Sequence, residues 1–120
     1  MHSARLLDHF QNPRNAGEVP GADVVAETSN PVCGDILKLW ARICDGRLVQ
    51  VGFKCRGCVA AMACGSALTE LVVGQTLDAA HAITAADVEG AVDGLESASK
   101  HAAVLAVDTL RKLLAGLHVQ

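Results

Sequence analysis

Leu37-Lys38-Leu39-Trp40-Ala41-Arg42-Ile43-Cys44-Asp45-Gly46-Arg47-Leu48-Val49-Gln50-Val51-Gly52-Phe53 is the stretch that decides the fold. Leu37, Leu39, Ala41 and Ile43 alternate with Lys38, Trp40 and Arg42, the period of a half-buried strand. Asp45-Gly46 then supplies two residues that tolerate positive φ, and a second apolar run follows over residues 48–53, so the stretch predicts a β-hairpin. A two-residue turn pairs Ile43 with Leu48. Setting Val49, Val51 and Phe53 on one face asks instead for one extra loop residue or a bulge.

Outward from the hairpin, the pattern changes period. After Gly57 it becomes helical, with Cys58 or its neighbours at the N-terminus and Gly74 placed to end the helix. Short helical pieces are predicted over residues 76–81 and 84–92. Ala102, Ala103, Ala106, Val107, Leu110, Leu113, Leu114 and Leu117 then form a stripe at 3.6-residue spacing, with Lys100, Asp108, Arg111 and Lys112 falling largely away from it. On the other side, Leu6, Leu7 and Phe10 share a helical face that Asn12-Pro13 ends, because the residue before proline is steered out of the α region. Residues 14–31 read as loop, with a strand over 24–28. The sum is an α+β fold over one domain, residues 1–120: a three-stranded antiparallel sheet with helices packed on one side.

Composition narrows the function. A chain of 120 residues has room for one core, and 51% apolar against 19% charged residues is a globular balance. Aromatics make up only 2%, so Ala, Val, Leu and Ile must build that core. A formal charge of −3, with no basic stripe, argues against nucleic acid as a partner. No apolar run approaches the roughly 18 residues of a membrane span, and the first residues lack the pattern of a secretory signal, so the cytoplasm is the expected compartment. Five cysteines, an odd number, point there to metal or thiol chemistry rather than to a disulfide framework.

The hairpin makes a geometric prediction about those cysteines. Continuing the ladder residue for residue from Ile43 opposite Leu48 brings Cys33 opposite Cys58. Strands about 4.8 Å apart let two thiolates share a metal, since a sulfur–metal bond is about 2.3 Å. Asp35 follows Cys33 at two residues and so lies on the same face, which puts the site at one end of the sheet. A helix N-terminus beside Cys58 is expected to favour its thiolate. A lone cysteine is more often a small buried hydrophobe, and that reading suits Cys44 beside the turn and Cys64 on another face of its helix. Cys55, one C-x-x-C step before Cys58, suits either metal binding or thiol redox work. His101, on pattern alone, reads as a partly buried or capping residue at the start of the last helix.

At these residues the chain resembles the IscU-type, NifU N-terminal-like family of iron–sulfur cluster assembly scaffolds. Asp8-His9-Phe10-Gln11-Asn12-Pro13-Arg14-Asn15 is similar to its opening segment, Cys33-Gly34-Asp35 to its first ligand motif, and Phe53-Lys54-Cys55-Arg56-Gly57-Cys58 to its second. Thr69-Glu70-Leu71 and Gly74-Gln75-Thr76-Leu77-Asp78 are also like the family. The third motif departs: where the family has His-Cys, this chain has His101-Ala102. The Leu-Pro-Pro-Val-Lys tract by which a chaperone recognises some members is absent, with Leu95-Glu96-Ser97-Ala98-Ser99 in that region, and so is the long insertion of the zinc-dependent branch. The resemblance implies Cys33, Asp35, Cys58 and His101 as ligands of iron or a [2Fe–2S] cluster, with zinc possible in the isolated protein. It implies a cysteine desulfurase and acceptor apoproteins as partners. The missing third thiol requires Cys55 or Cys64 to compensate, and Cys55, read as part of the loop at the site, is the better placed.

Three functions compete at this point. The first is a scaffold or carrier of an iron–sulfur cluster, with Asp35 as an exchangeable oxygen ligand. The second is a zinc-binding relative with a regulatory or structural role, for which two Cys, one His and one Asp make a reasonable tetrahedral set. The third is a thiol oxidoreductase using Cys55-Arg56-Gly57-Cys58, though a hairpin precedes it where such enzymes use a βαβ unit. No acid/base pair, nucleophile triad or phosphate loop is apparent, so turnover catalysis is not expected.

Overall fold

The computed structural model describes residues 2–119. A first helix, α1 (Ala4–Gln11), leads to three strands, β1 (Val24–Ser29), β2 (Ile36–Cys44) and β3 (Arg47–Arg56). Helices α2 (Val59–Val72), α3 (Leu77–His81), α4 (Ala85–Ala91) and α5 (His101–Ala115) follow. The strands form one antiparallel sheet in chain order. This is the α+β arrangement read from the sequence, with the helices against one sheet face.

Asp45 and Gly46 make the hairpin turn with φ of 51° and 73°, the left-handed pair a two-residue turn requires. Ile43 pairs with Leu48, yet Arg42 pairs with Gln50, so Val49 is an extra residue that bulges out of β3. The tight turn and a bulge occur together, but the expected face of Val49, Val51 and Phe53 is corrected to Leu48, Val51 and Phe53, with Val49 48% exposed. The bulge corrects the expected ladder, because every pair beyond it is displaced by one and pairing ends at Ile36 with Arg56. Its reward is a clean inner face. Leu37, Leu39 and Ala41 stand opposite Cys55, Phe53 and Val51, and all but Cys55 are buried.

Helices α2 and α5 lie on that face and on each other. Almost the whole circumference of α2 is buried, as expected of a helix held between a sheet, α1 and α5. Gly65 lets it approach closely, since a Cβ there would sit 2.9 Å from the Phe53 ring. The predicted α5 stripe is buried from Ala102 to Leu114. In α1 the inward residues are Leu6 and His9, whereas Leu7 is 39% exposed, because the helix docks on polar groups of α2 rather than on apolar surface alone. Thr76 and Thr84, read as first helical residues, act as N-caps of α3 and α4.

The free edge of β3 is covered at both ends. The Asn15 carbonyl accepts from Phe53 N–H and the Phe53 carbonyl from Gly17 N–H. At the other end Leu48 exchanges backbone hydrogen bonds with Gly74 and Gln75. An edge satisfied in this way offers little to a foreign strand. No helix among the described residues is long and apolar enough to cross a membrane.

Candidate metal centre

Three separate pieces of chain meet at the end of the sheet away from the hairpin turn. The first is the turn from β1 to β2, closed by Asn30 N–H to the Asp35 carbonyl (2.8 Å) and Gly34 N–H to the Asn30 carbonyl (2.7 Å). It carries Cys33 and Asp35, separated by Gly34 at φ 78°. The second is the junction of β3 with α2, where Cys58 is the N-cap: its Sγ accepts from Ala61 N–H at 3.4 Å. The third is the first residue of α5, His101.

Asp35 is the hub. Only 5% exposed, its carboxylate accepts from Cys58 N–H (Oδ1, 3.2 Å) and from the Cys58 thiol (Oδ2, 3.3 Å), and Oδ2 lies 3.4 Å from His101 Nε2. Cys58 Sγ is 3.9 Å from the same Nε2. Donor atoms of Cys33, Asp35 and His101 all fall within 4.8 Å of one another. A tetrahedral ion with bonds of about 2.0–2.3 Å needs its ligand atoms roughly 3.3–3.8 Å apart, so the set fits an ion after small side-chain movements. Gly57 makes room for the Asp35 side chain, because a Cβ there would lie 2.6 Å from the Asp35 Cγ.

Charge is arranged for the same purpose. Burial alone would raise the Asp35 pKa, but hydrogen bonds from Cys33, from the Cys58 thiol and backbone, and from His101 outweigh it, and the carboxyl is held below its ordinary range. The expectation for Cys58 needs correction. The helix terminus does favour its thiolate through Ala61 N–H, but burial and the Asp35 carboxylate oppose this, and the net shift is upward. A metal held by this thiol would have to displace its proton.

The remaining cysteines stand apart from this cluster. Cys55, expected in a loop, belongs to β3, which runs on past the bulge to Arg56. It is half-buried opposite Leu37, against the core and beside a cavity of about 740 Å³ that His9, Phe10 and Met62 also line. Burial pushes its thiol up to about 12. Cys64 is completely buried, again with a pKa of about 12. Cys44 is exposed at the hairpin end of β2. Ala102 faces the core, 1% exposed.

Ser66, Thr69 and Glu70 of α2 were given no structural role by sequence reading. The Ser66 hydroxyl accepts from Arg14 N–H (2.8 Å) and meets His9 Nδ1 at 2.8 Å; Thr69 donates to the Arg14 carbonyl. Glu70 faces Arg14 and His9 Nε2. Burial and the Arg14 charge lower the His9 pKa, and because the Ser66 oxygen already accepts from Arg14 N–H, its own proton is available to a bare His9 Nδ1. This clasp explains why the stretch from Asp8 to Asn15 is polar yet firmly docked. The signal was present, in the two motif stretches that turn out to touch.

Fold and donor set together define a class: a small α+β domain that presents thiols, a carboxylate and an imidazole jointly at a sheet end. The chain belongs to the family of the NifU-like N terminal domain, whose model matches residues 1–117. It is 40% identical over 114 residues to the iron-sulfur cluster assembly scaffold protein IscU 1 of Archaeoglobus fulgidus, covering 95% of this chain and 74% of that protein. With the iron-sulfur cluster assembly scaffold protein IscU of Escherichia coli K12 the identity is 33% over 118 residues, covering 95% of this chain and 91% of that one. The crystal structure of the N-terminal part of a nitrogen-fixing NifU-like protein from Brucella abortus shares the fold, with a TM-score of 0.77 at 17% identity over 98% of this chain and 94% of its own. The IscU and NifU scaffolds are not enzymes, and the chain falls with them.

Proposed function

We propose that this protein is a scaffold on which an iron–sulfur cluster is put together and from which it is passed to acceptor proteins in the cytoplasm. The reading is carried by one observation: Cys33, Asp35, Cys58 and His101, scattered over 69 positions, gather around one carboxylate in a chain whose relatives are named as assembly scaffolds. Iron and sulfide are the cargo. Cys33 and Cys58 hold iron as thiolates, His101 adds an imidazole nitrogen, and Asp35 supplies a hard oxygen that binds iron less firmly than sulfur would in a [2Fe–2S] unit. A weak fourth ligand suits a cluster that must leave. Sulfur comes from a cysteine desulfurase, as in the scaffolds the chain resembles.

Anaerobic reconstitution with ferrous iron and inorganic sulfide tests this. The expected result is the visible absorption of a [2Fe–2S] centre, lost in Cys33→Ser and Cys58→Ser. A wild-type protein that stays colourless sinks the reading. The second reading, a zinc protein, draws support from the 3.3–3.9 Å separations among the Cys58, Asp35 and His101 donor atoms, close to those a zinc ion needs. Zinc retained against a thousandfold excess of ferrous iron and sulfide favours it. The oxidoreductase reading has lost its footing, since Cys55 faces the core from β3 while Cys58 caps α2.

A further inference from the structure

We infer that the cavity of about 740 Å³ at the Cys55 end of β3 binds a small amphiphile of the fatty-acid class, an apolar chain carrying a carboxylate head. None of the four donor side chains of the metal centre lines this cavity, so its ligand is separate from any cluster.

The cavity follows from how α1 is held. Ser66 meets His9 Nδ1 and Arg14 N–H, and this polar clasp fastens α1 and the turn after it to α2. The segment that follows pairs with the β3 backbone at Phe53, through Asn15 and Gly17. Beyond Phe53 the space between α1, α2 and β3 stays open. Phe10 of α1, Met62 of α2 and Phe53 of β3 wall it, and Ile36 of β2 extends the apolar lining. Its volume falls within the range of about 300–1,000 Å³ usual for small-molecule sites. Phe10, Ile36 and Met62 are only half-buried, so an apolar chain entering there takes water off all three. The flexible Met62 side chain can refit around it.

Charge fixes the head group. Lys38, Lys54 and Arg56 lie in the lining, and among the described residues Glu27 is the one acid beside them. The strands impose this crowding: Lys38 pairs with Lys54, and Arg56 follows Lys54 on the same face. Like charges set opposite each other destabilise a sheet. What opposes them is thin. Glu27 stands opposite Lys38 on β1. Glu18 lies 3.6 Å from Lys54, but the two side chains are 64% and 61% exposed, and so solvated a pair holds weakly. Lys38 Nζ sits 5.0 Å over the Trp40 ring. The Arg56 guanidinium makes no hydrogen bond or ion pair with any other described residue. A carboxylate among these three cations relieves their repulsion and meets in Arg56 a fork that matches its two oxygens. An alkylammonium head would face the same cations and be rejected. A recess between two helices and a strand end admits a single chain rather than the surface of a bilayer.

Decanoate, kept below its micelle-forming concentration, is the probe. Calorimetry measures its affinity, and methionine labelled with carbon-13 at the methyl group locates its tail at Met62, the resonance being assigned with Met62→Leu. The expected result is saturable one-to-one binding that moves the Met62 resonance. Butyrate keeps the head but loses most of the chain, and should bind at least about 100-fold more weakly. Decyltrimethylammonium keeps the chain but reverses the charge, and should bind at least about tenfold more weakly than decanoate. The double variant Lys54→Gln, Arg56→Gln changes two exposed residues, so the fold is kept, and it should weaken decanoate at least about tenfold. Decyltrimethylammonium bound as tightly as decanoate overturns the inference. So does decanoate binding that leaves Met62 unmoved or that the double variant does not weaken. Absence of decanoate binding overturns it as well, whether or not the protein adsorbs to phosphatidylglycerol vesicles.

Discussion

Gly57→Ala is the smallest change that should disable the site without touching any donor. The new methyl carbon would stand 2.4 Å from Asp35 Oδ1 and 2.9 Å from its Cβ, well inside contact distance, and Gly57 is not in the left-handed region, so the effect is steric. The carboxylate must swing away and give up its bond from Cys58 N–H. A hydrogen bond to a charged group contributes about 1.5–3 kcal/mol. For 120 residues the melting entropy is about 0.25 kcal/mol per kelvin, so the melting temperature of the metal-free protein should drop by roughly 6–12 °C. Metal affinity should fall about 10–100-fold, the usual effect of disturbing a ligand's support. Calorimetric zinc titration and a thermal melt read both quantities. Gly90→Ala is the control: nothing lies within 4 Å of the added carbon on exposed α4, and it should stabilise by about 0.5–1 kcal/mol. A Gly57→Ala protein that melts within 2 °C of wild type and binds zinc within twofold would refute the reasoning.

Ser66→Ala should cost about 2–4 kcal/mol, since it leaves both Arg14 N–H and the buried His9 Nδ1 without a partner; urea unfolding measures this. His9 makes stability depend on pH. Its folded pKa lies below the ordinary 6.5, so as pH falls from 7.5 towards 5.5 the unfolded chain gains a proton the folded one refuses, and stability declines. His9→Gln should flatten that part of the profile in urea melts taken across this range. Leu39→Ala, at a fully buried position of the central strand, should cost about 2–5 kcal/mol; a loss below 1 kcal/mol in the same assay would mean that the core is looser than described.

The fold was legible because its elements are dictated locally. Alternation in residues 37–43, a turn that only Asp45-Gly46 could make, and the α5 stripe each name their own structure. What stayed hidden was set by tertiary contact. Nothing local in Leu48-Val49-Gln50 says that Val49 steps out of the sheet; the choice is made by Leu48 and Val51 both needing the core, at 0% and 4% exposed. Leu7 gave up its expected inward place, and His9 turned inward, for a similar reason. Helical periodicity favours Leu7 as core, but a serine across the interface offers His9 a partner that no apolar residue can replace.

The site shows the same division with a different outcome. A register off by one residue still brought Cys33 and Cys58 to the same end of the sheet, because the end of a sheet is a property of topology and survives a bulge. The role of Cys55 did not survive it. Extending β3 to Arg56 turns Cys55 onto the face of Phe53 and Val51, where burial first, and the charges of Asp35 and Cys58 after it, push its thiol up. On the proposed scaffold reading two thiols then remain at the mouth, and Asp35 completes what a third would have done. A carboxylate that holds four donors on its two oxygens in the metal-free protein would have to trade hydrogen bonds for a metal bond, and that exchange can run in reverse. Ease of release is thus built into the residue on which the site is centred. Asp35→Cys, which puts a thiolate where the exchangeable oxygen stands, should bind a reconstituted cluster more persistently, read as slower transfer of its absorbance to an apo-ferredoxin, and faster transfer would contradict this account of Asp35.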